Sequence, residues 1–382
     1  MNSLRDIVRS SPQLRGIETK AMYTLQGEDA SRPLGPARWN WEEVRKVLLV
    51  RLRSIGDTVL ATPSLSAVKR FLPHAEVDIL VEDWVAPLLD NHPSLNRIVV
   101  LERGSLAARA RVARDIRSAR YDVAYNLHGG TTATLLTRAS GARHRVGYAT
   151  YQYAKLHNHQ APSPLLLWGQ MQTHSVEQQL ALLGWTGIPV TDRPPTQLAV
   201  TFEAASAVNH RLAQAGVLDQ KVAVIHPAAA FATKQWAVAN FARVAEFLAD
   251  QGFAAVAIAA PKESAVLNEL VLQCSAPVKT LDLSLPEVTA LAARSQLFVG
   301  NDSGIAHIAA AVGTPSVVIF GSSNIAHWRP WNTAPAEVVF EEMPCQPCHG
   351  YFCEKFERPE CIIRVPAGRV IAAIERILRK EE

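Results

Sequence analysis

The sequence predicts an α/β protein with two doubly wound parallel sheets, each in its own domain. Three observations predict it. Short apolar runs rich in Val, Ile and Leu alternate with segments of helical period in two successive series, 46–139 and 221–320. Two of these runs end in a turn of glycine and acid that opens a helix, Ile55-Gly56-Asp57 and Asn301-Asp302-Ser303-Gly304. The 382 residues suffice for two domains of ordinary size, and an apolar fraction of 48% supplies a core for both.

Residues 1–40 lack sustained periodicity and contain the linker-like run Ser31-Arg32-Pro33-Leu34-Gly35-Pro36. Leu4, Ile7 and Val8 have helical spacing, and Trp39 and Trp41 stand among Arg38, Arg45 and Lys46. The tryptophans read either as a membrane-surface contact or, the favoured reading, as anchors packing this segment onto the domain that follows. The first series then runs strand 46–52, helix 63–71, strand 76–81, helix 84–89, strand 97–101, helix 106–118, strand 121–127 and helix 132–139. Its opening strand is β-branched and leucine-rich throughout, as a strand buried on both faces requires. Residues 148–173, rich in His, Gln, Tyr and Pro, show no clear period and are expected to form a long loop.

A helix over 174–183 leads into a proline-marked passage, 190–200. The second series follows: strand 221–226, helix 236–251, strand 254–259, helix 263–274, strand 278–282, helix 286–293, strand 297–300, a helix from about Gly304, strand 316–320 and a final helix 367–378.

Ligands of open α/β sheets bind outside the carboxyl ends of the strands, where Gly56, Asp57 and the 301–304 turn fall. A helix start offers unpaired amides and the positive end of the helix dipole, which together favour phosphate. Gly304 lets the backbone approach a ligand closely, and His307, four residues after Ser303, lies on the same side of the first turn. The alternatives are an ordinary capped helix with a surface His307 and, for Asp57, a capping acid alone. Lys234-Gln235-Trp236 places a lysine after strand 221–226. No Gly-x-Gly-x-x-Gly occurs, which counts against a dinucleotide-dependent dehydrogenase, and no Asp-x-Asp occurs to hold a cation on a diphosphate.

The segments around Asp57, Lys234 and Asp302, in this order and spacing, resemble glycosyltransferase family 9, the ADP-heptose:lipopolysaccharide heptosyltransferases. The similarity runs from about Lys46 to the C-terminal helix. It implies a GT-B fold, two Rossmann-like domains facing a central cleft. The implied domains are an extension at 1–44, an acceptor-side domain at 45–190, a nucleotide-sugar-binding domain at 191–340, and at 341–382 a cysteine-rich segment with a helix returning to the first domain.

The implied reaction is inverting, metal-independent transfer of a heptose or related sugar from ADP-heptose or another nucleotide sugar to a lipopolysaccharide core or other glycan, with no cofactor required. Asp57 would be the general base; Lys234, Asp302, Ser303, Gly304 and His307 would bind the donor, with Glu263 on its ribose and Leu283 near its base; Gly56 and His128 would line the acceptor side. Two departures stand out. Asn126 occupies a position where relatives usually carry an acid, and Ala228-Ala229-Ala230 replaces hydroxyl side chains that commonly touch phosphate, leaving only backbone amides there.

Residues 97–145 hold ten arginines, no lysine and only Glu102, Asp115 and Asp122 as acids, although the net charge is just +4. Arginines grip carboxylate and phosphate bidentately, so an anionic acceptor fits, while a solvated helix face accounts for most of those in 106–118. Nothing points to nucleic acid. Cys345, Cys348, Cys353 and Cys361, beside His349, have spacing able to bind structural zinc or an iron–sulfur cluster. No secretory h-region or run of roughly 20 apolar residues appears, so the expected location is cytoplasmic, with peripheral inner-membrane contact as an option. Two further readings stay open: a nucleotide-sugar-binding protein without turnover, consistent with the alanine loop, and a metal or redox module centred on the cysteines.

Overall fold

The structure, a computed structural model, describes residues 31–348 and 351–379. It contains two six-stranded parallel sheets. The first comprises β1 (Lys46–Val50), β2 (Glu76–Glu82), β3 (Arg97–Leu101), β4 (Val123–Asn126), β5 (His144–Tyr148) and β6 (His159–Ala161), ordered β3-β2-β1-β4-β5-β6. The second comprises β7 (Lys221–His226), β8 (Phe253–Ile258), β9 (Val278–Leu281), β10 (Leu297–Asn301), β11 (Ser316–Phe320) and β12 (Ala336–Phe340), ordered β12-β11-β10-β7-β8-β9. Strand order reverses between β1 and β4 in one sheet and between β7 and β10 in the other. The crevices outside these switch points are the natural ligand sites, and the four strands that flank them carry Asp57, His128, Lys234 and Asp302 in the turns that follow.

Alternation along β1 shows why both faces need cover. Val47 and Leu49 join the core with Leu65 and Val68 of α2 (Thr62–Phe71) and Leu180 and Leu183 of α6 (Ser175–Trp185). Leu48 and Val50 point the other way, to Val112 and Ile116 of α3 (Leu106–Ser118) and Leu136 of α4 (Thr131–Ala139). The preceding short helix α1 (Ile55–Val59) carries Gly56 and Asp57, and the later α5 (Pro164–Trp168) follows β6. In the second sheet, α7 (Phe202–Gln214), α10 (Leu285–Arg294) and α11 (Gly304–Ala311) share a core with Val224, Val256, Phe298 and Val318. The opposite face takes α8 (Val238–Asp250), α9 (Ser264–Gln273) and the final helix, α13 (Ala367–Leu378).

Several expectations change here. The final helix does not return to the first domain: Val370, Ala373, Ile374 and Ile377 are buried with Val317, Ile319 and Val339, so its apolar stripe is spent on the second sheet. Residues 148–173 are not one loop, since β6 and α5 lie within them; three-residue and five-residue elements are too short to show a period. The helix expected from 236 begins at Val238, because Trp236 is fully buried and its indole N–H donates to the Val365 carbonyl at 2.8 Å. Strands β5 and β12, helix α7 and a four-residue helix α12 (Ile325–Trp328) had no forecast.

The segment before β1 packs. The Leu34 N–H donates to the Gly184 carbonyl at 3.0 Å, the Trp41 indole donates to the Thr186 carbonyl at 3.1 Å, and Trp39 stacks on His144 at 4.3 Å. These are anchors, as the favoured reading had it. Leu4, Ile7 and Val8 fall outside the described residues. No helix among the described residues is long and apolar enough to cross a membrane.

Candidate active site

On the first sheet, the turn after β1 fixes Asp57 from two directions. One carboxylate oxygen accepts from the Arg51 guanidinium, and the other accepts from the Ser54 N–H and hydroxyl at 3.2 Å each. Arg51 itself is tied to the Leu127 carbonyl at 2.6 Å, so the end of β4 helps hold the pair. Asp57 therefore does cap α1, but its carboxylate remains 20% exposed with lone pairs to spare. His128 lies beside this pair. Burial pushes its imidazole down to about 4, with Arg51 and Arg53 acting in the same direction and Asp57 against them, so it is neutral near pH 7. Asn126 is buried; its amide donates to Thr134 at 3.1 Å, and its carbonyl accepts the His128 and Gly129 N–H groups at 3.1 and 2.9 Å. It builds the turn that presents His128.

On the second sheet, Lys234 ends a 3₁₀ turn after β7, and its ammonium lies 2.8 Å from a carboxylate oxygen of Asp302 after β10. Asp302 is 5% exposed and Lys234 22%, so the pair is largely withdrawn from solvent. Beside it, the N–H groups of Ser303, Gly304 and Ile305 find no acceptor among the described residues. The Ser303 hydroxyl pairs with His226 Nδ1 at 3.2 Å, and burial pushes His226 down to about 4.

The alanine loop is braced by neighbours. Gln235 accepts the Ala229 N–H at 2.9 Å and donates to the Pro227 carbonyl, which also receives the Asn301 amide at 2.9 Å. Exchange of Gln235 for Met keeps the volume and removes both bonds. We expect stability to fall by about 1–3 kcal/mol, on about 1 kcal/mol per bond, and nucleotide-diphosphate affinity to fall as well if the braced loop contacts the donor; an unfolding curve with calorimetry on the same sample checks both, and unchanged affinity would remove Gln235 from the site.

The two crevices meet where α1 and α11 abut. A Cβ on Gly56 would sit 2.7 Å from His307 Cδ2, and one on Gly304 would sit 2.6 Å from Ile55 Cβ. His307 is buried between the sheets. Burial lowers its pKa, while Asp302 and Asp57 pull it upward and Lys234 presses it down again, so groups from both sheets act on one imidazole. Gly56→Ala should cost about 1–3 kcal/mol, the usual penalty for overpacking. Chemical denaturation measures it, and a variant as stable as the parent would mean the contact gives way freely.

A cavity of about 140 Å³ opens beside the Arg51–Asp57 pair, lined among others by His128, Tyr151, Gln178, His327 and Trp328. His327 comes from α12 of the second half, held by the Thr173 carbonyl at 3.1 Å. A larger cavity, about 960 Å³, lies elsewhere, between residues 89–98 and the starts of α7 and α10, and none of the expected site residues lines it. Glu263 caps its own turn, accepting the Ala260 N–H at 3.3 Å, and Leu283 packs half-buried on the core. No hydrogen bond or ion pair joins either to the Lys234–Asp302 pair.

The five cysteines are free thiols. Cys361 is buried, and its thiol is pushed up to about 11 by burial and by Cys348, Cys345 and Cys353 nearby. Among the described residues, which exclude His349, no group of three or more His, Cys, Asp or Glu is arranged to hold a metal ion. The segment has another visible role: the Gln346 amide donates to the Gly321 carbonyl at 2.6 Å, and Tyr351 meets Phe231 edge-on at 4.6 Å, beside Lys234.

A sequence profile described as glycosyltransferase family 9 (heptosyltransferase) matches residues 109–356. The chain belongs to this family. Lipopolysaccharide heptosyltransferase 3 of Escherichia coli is 29% identical to the transferase over 86% of this chain and 97% of the relative. Among solved structures, a family 9 glycosyltransferase from Veillonella parvula superposes with a TM-score of 0.75 at 20% identity, covering 88% of this chain and 97% of the other. The E. coli ADP-heptose lipopolysaccharide heptosyltransferase II gives 0.72 at 22% identity, covering 88% and 99%. Two parallel α/β sheets facing one another are the GT-B fold of these enzymes, and the protein is a glycosyltransferase of the heptosyltransferase family.

Several groups at this candidate site had not been expected from the sequence: Arg51, His226, Gln235, Asn301 and His327. Arg51 had a signal, since an arginine closing a strand six residues before an acid can fold back onto it. His327 had none, because its place depends on the approach of the two halves.

Proposed function

We propose that the transferase moves a heptose from ADP-heptose to a lipopolysaccharide core, with inversion and without a metal ion. The observation that supports this most is the meeting, across Gly56 and His307, of an acid–arginine pair from one sheet with a lysine, an acid and free helix amides from the other. In this reading the domain before about residue 190 holds the acceptor and the following one the donor, with Glu263 and Leu283 near the nucleoside. Asp57 takes the proton from an acceptor hydroxyl, the resulting oxygen bonds to the anomeric carbon, and the carbon–oxygen bond to the diphosphate breaks. Arg51 and Ser54 keep the carboxylate aimed. Lys234 and the Ser303 and Gly304 amides receive the charge that grows on the leaving diphosphate. One base and one direct displacement give inversion. Lysine and amides, in a chain lacking Asp-x-Asp, do the work a cation does elsewhere.

ADP-heptose as donor and a lipopolysaccharide acceptor are suggested by the names of the relatives. In this reading the protein acts in the cytoplasm, with peripheral contact to the inner membrane as an option. Calorimetric titration of ADP, UDP and GDP in EDTA tests the donor: selective ADP binding is expected, whereas selective UDP or GDP binding would discard heptose and keep the transferase.

A further inference from the structure

Two cavities meet beside the candidate base, and the outer one is lined by no charged side chain. The cavity of about 140 Å³ next to the Arg51–Asp57 pair shares Tyr151, Gln178 and His327 with a second, of about 420 Å³. Tyr148, Thr150, Thr173 and Asn324 also line the second, and no Asp, Glu, Lys or Arg does. A cavity of about 530 Å³ that shares His128 with the first is different, with Arg53, Arg103 and Arg109 in its wall. An anionic ligand at the base would be drawn toward those arginines, whereas the uncharged cavity suits a neutral, hydrogen-bonding one.

Bonds to the protein fix what the polar groups of the uncharged cavity can offer. His327 Nδ1 lies 3.1 Å from the Thr173 carbonyl, which can only accept, so the ring proton sits on Nδ1 and Nε2 keeps its lone pair. The Gln178 amide nitrogen, 3.4 Å from the same Nδ1, is at the far limit of a hydrogen bond and does not displace this one. Burial lowers the His327 pKa, with Arg51 in the same direction and the Thr173 bond and Asp57 against them, so the ring is neutral near pH 7. Gln178 donates from Nε2 to the Thr173 hydroxyl at 3.3 Å, which leaves its Oε1 without a partner among the described residues. Asn324 spends its side-chain oxygen on the His327 N–H at 3.3 Å, and its Nδ2 has no partner among those residues. In the smaller cavity Gln179 is 3% exposed and its Oε1 is likewise unpaired. Acceptors and a donor thus stand side by side, the complement of hydroxyl groups, which donate and accept at once. Amide oxygens withdrawn from water are costly to leave unmet, so these groups mark a place that a ligand completes.

We infer that the two cavities form a subsite for an uncharged sugar ring of the acceptor, whose hydroxyl groups donate to Gln178 Oε1 and His327 Nε2 and accept from Asn324 Nδ2. The inference rests on the transferase reading in one respect, that the bound glycan is the acceptor. Gln178 stands on α6 of the first half, His327 on α12 of the second, and Asn324 caps α12. The subsite is therefore whole only with the two halves together, and it reads the acceptor from both. No hydrogen bond or ion pair joins these three residues to Lys234 or Asp302 among the described residues, so nucleotide binding does not depend on them.

The test is saturation-transfer NMR of the full chain with methyl mannoside, a neutral pyranoside, and with glucuronate, an anionic one, each at millimolar concentration. Parent protein should saturate methyl mannoside and leave glucuronate near background. Asn324→Asp keeps the oxygen that caps α12 and replaces the donor by a second acceptor, and Gln178→Met keeps the volume and removes the acceptor. Each should weaken methyl mannoside binding about 5- to 10-fold, with ADP affinity unaltered and, for Asn324→Asp, the same thermal unfolding. Absence of methyl mannoside saturation in the parent, equal saturation of glucuronate, or parent-level binding by both variants would overturn the proposal. ADP titration of the same preparations separates the two readings, since pyranoside binding needs no donor. A parent that binds methyl mannoside and not ADP would sink the transferase site and leave the subsite standing; one that binds ADP alone would do the reverse.

Discussion

Exchange of Asp57 for Asn is expected to lower turnover about 10²- to 10⁴-fold, the span usually contributed by a positioned base, while donor binding stays within a few-fold of the parent. The structure makes this a sharp test because the observed cap and the proposed base ask different things of Asp57. As a cap it accepts from Ser54, and asparagine keeps a carbonyl oxygen for that bond. As a base it needs a carboxylate, which asparagine lacks. A residue that only capped α1 would cost stability, and turnover would fall no further than the folded fraction. Steady-state kinetics at saturating donor, with an unfolding curve on the same sample, distinguishes the two. Turnover within threefold of the parent would end the assignment.

The second large effect is expected at Lys234. Its ammonium is the one side-chain cation in contact with Asp302 among the described residues, and the amides beside it carry no full charge. Lys234→Met keeps the stem and removes the charge. A charge-assisted contact to diphosphate is worth about 1.5–3 kcal/mol, so ADP affinity should fall about 10- to 100-fold. Stability should fall too, by about 1–3 kcal/mol, because Asp302 is left nearly buried and unpaired. Lys234→Arg should restore stability more than affinity, since a planar fork can reach Asp302 without reproducing the compact ammonium. Equal ADP affinity in parent and Met variant would move the diphosphate elsewhere.

Much of this architecture was legible in the residues, and the parts that were not share a physical cause. Strands such as 46–50 and 221–226 are buried on both faces, so their apolar runs are continuous and visible. The glycine-acid turns after β1 and β10 were visible for the same reason that they work: close backbone approach needs glycine, and a free helix start needs a polar cap. What escaped depends on tertiary partners. β6 has three residues and exists because β5 offers it an edge. The final helix shows a clear apolar stripe, yet a stripe does not say which sheet it will cover, and family expectation sent it to the wrong one. At the site, Asp57 and Asp302 could be picked out from local sequence, whereas the approach of His307 to Gly56 and of His327 to the Arg51–Asp57 pair exists only because the two halves close on each other. Asn126 illustrates a different limit. Its departure from the usual acid was plain, but its use as a scaffold for the His128 turn follows from three bonds that sequence does not display.

In the proposed reaction the site transfers a heptose using protein charges alone. Its most direct measurement is ADP release from ADP-heptose in the presence of a lipopolysaccharide core acceptor and EDTA, followed by the mass of the acceptor. ADP release should be matched by an acceptor heavier by one heptose, with no gain on adding magnesium or manganese. ADP-heptose left intact under EDTA, with transfer appearing only when a divalent cation is restored, would contradict it.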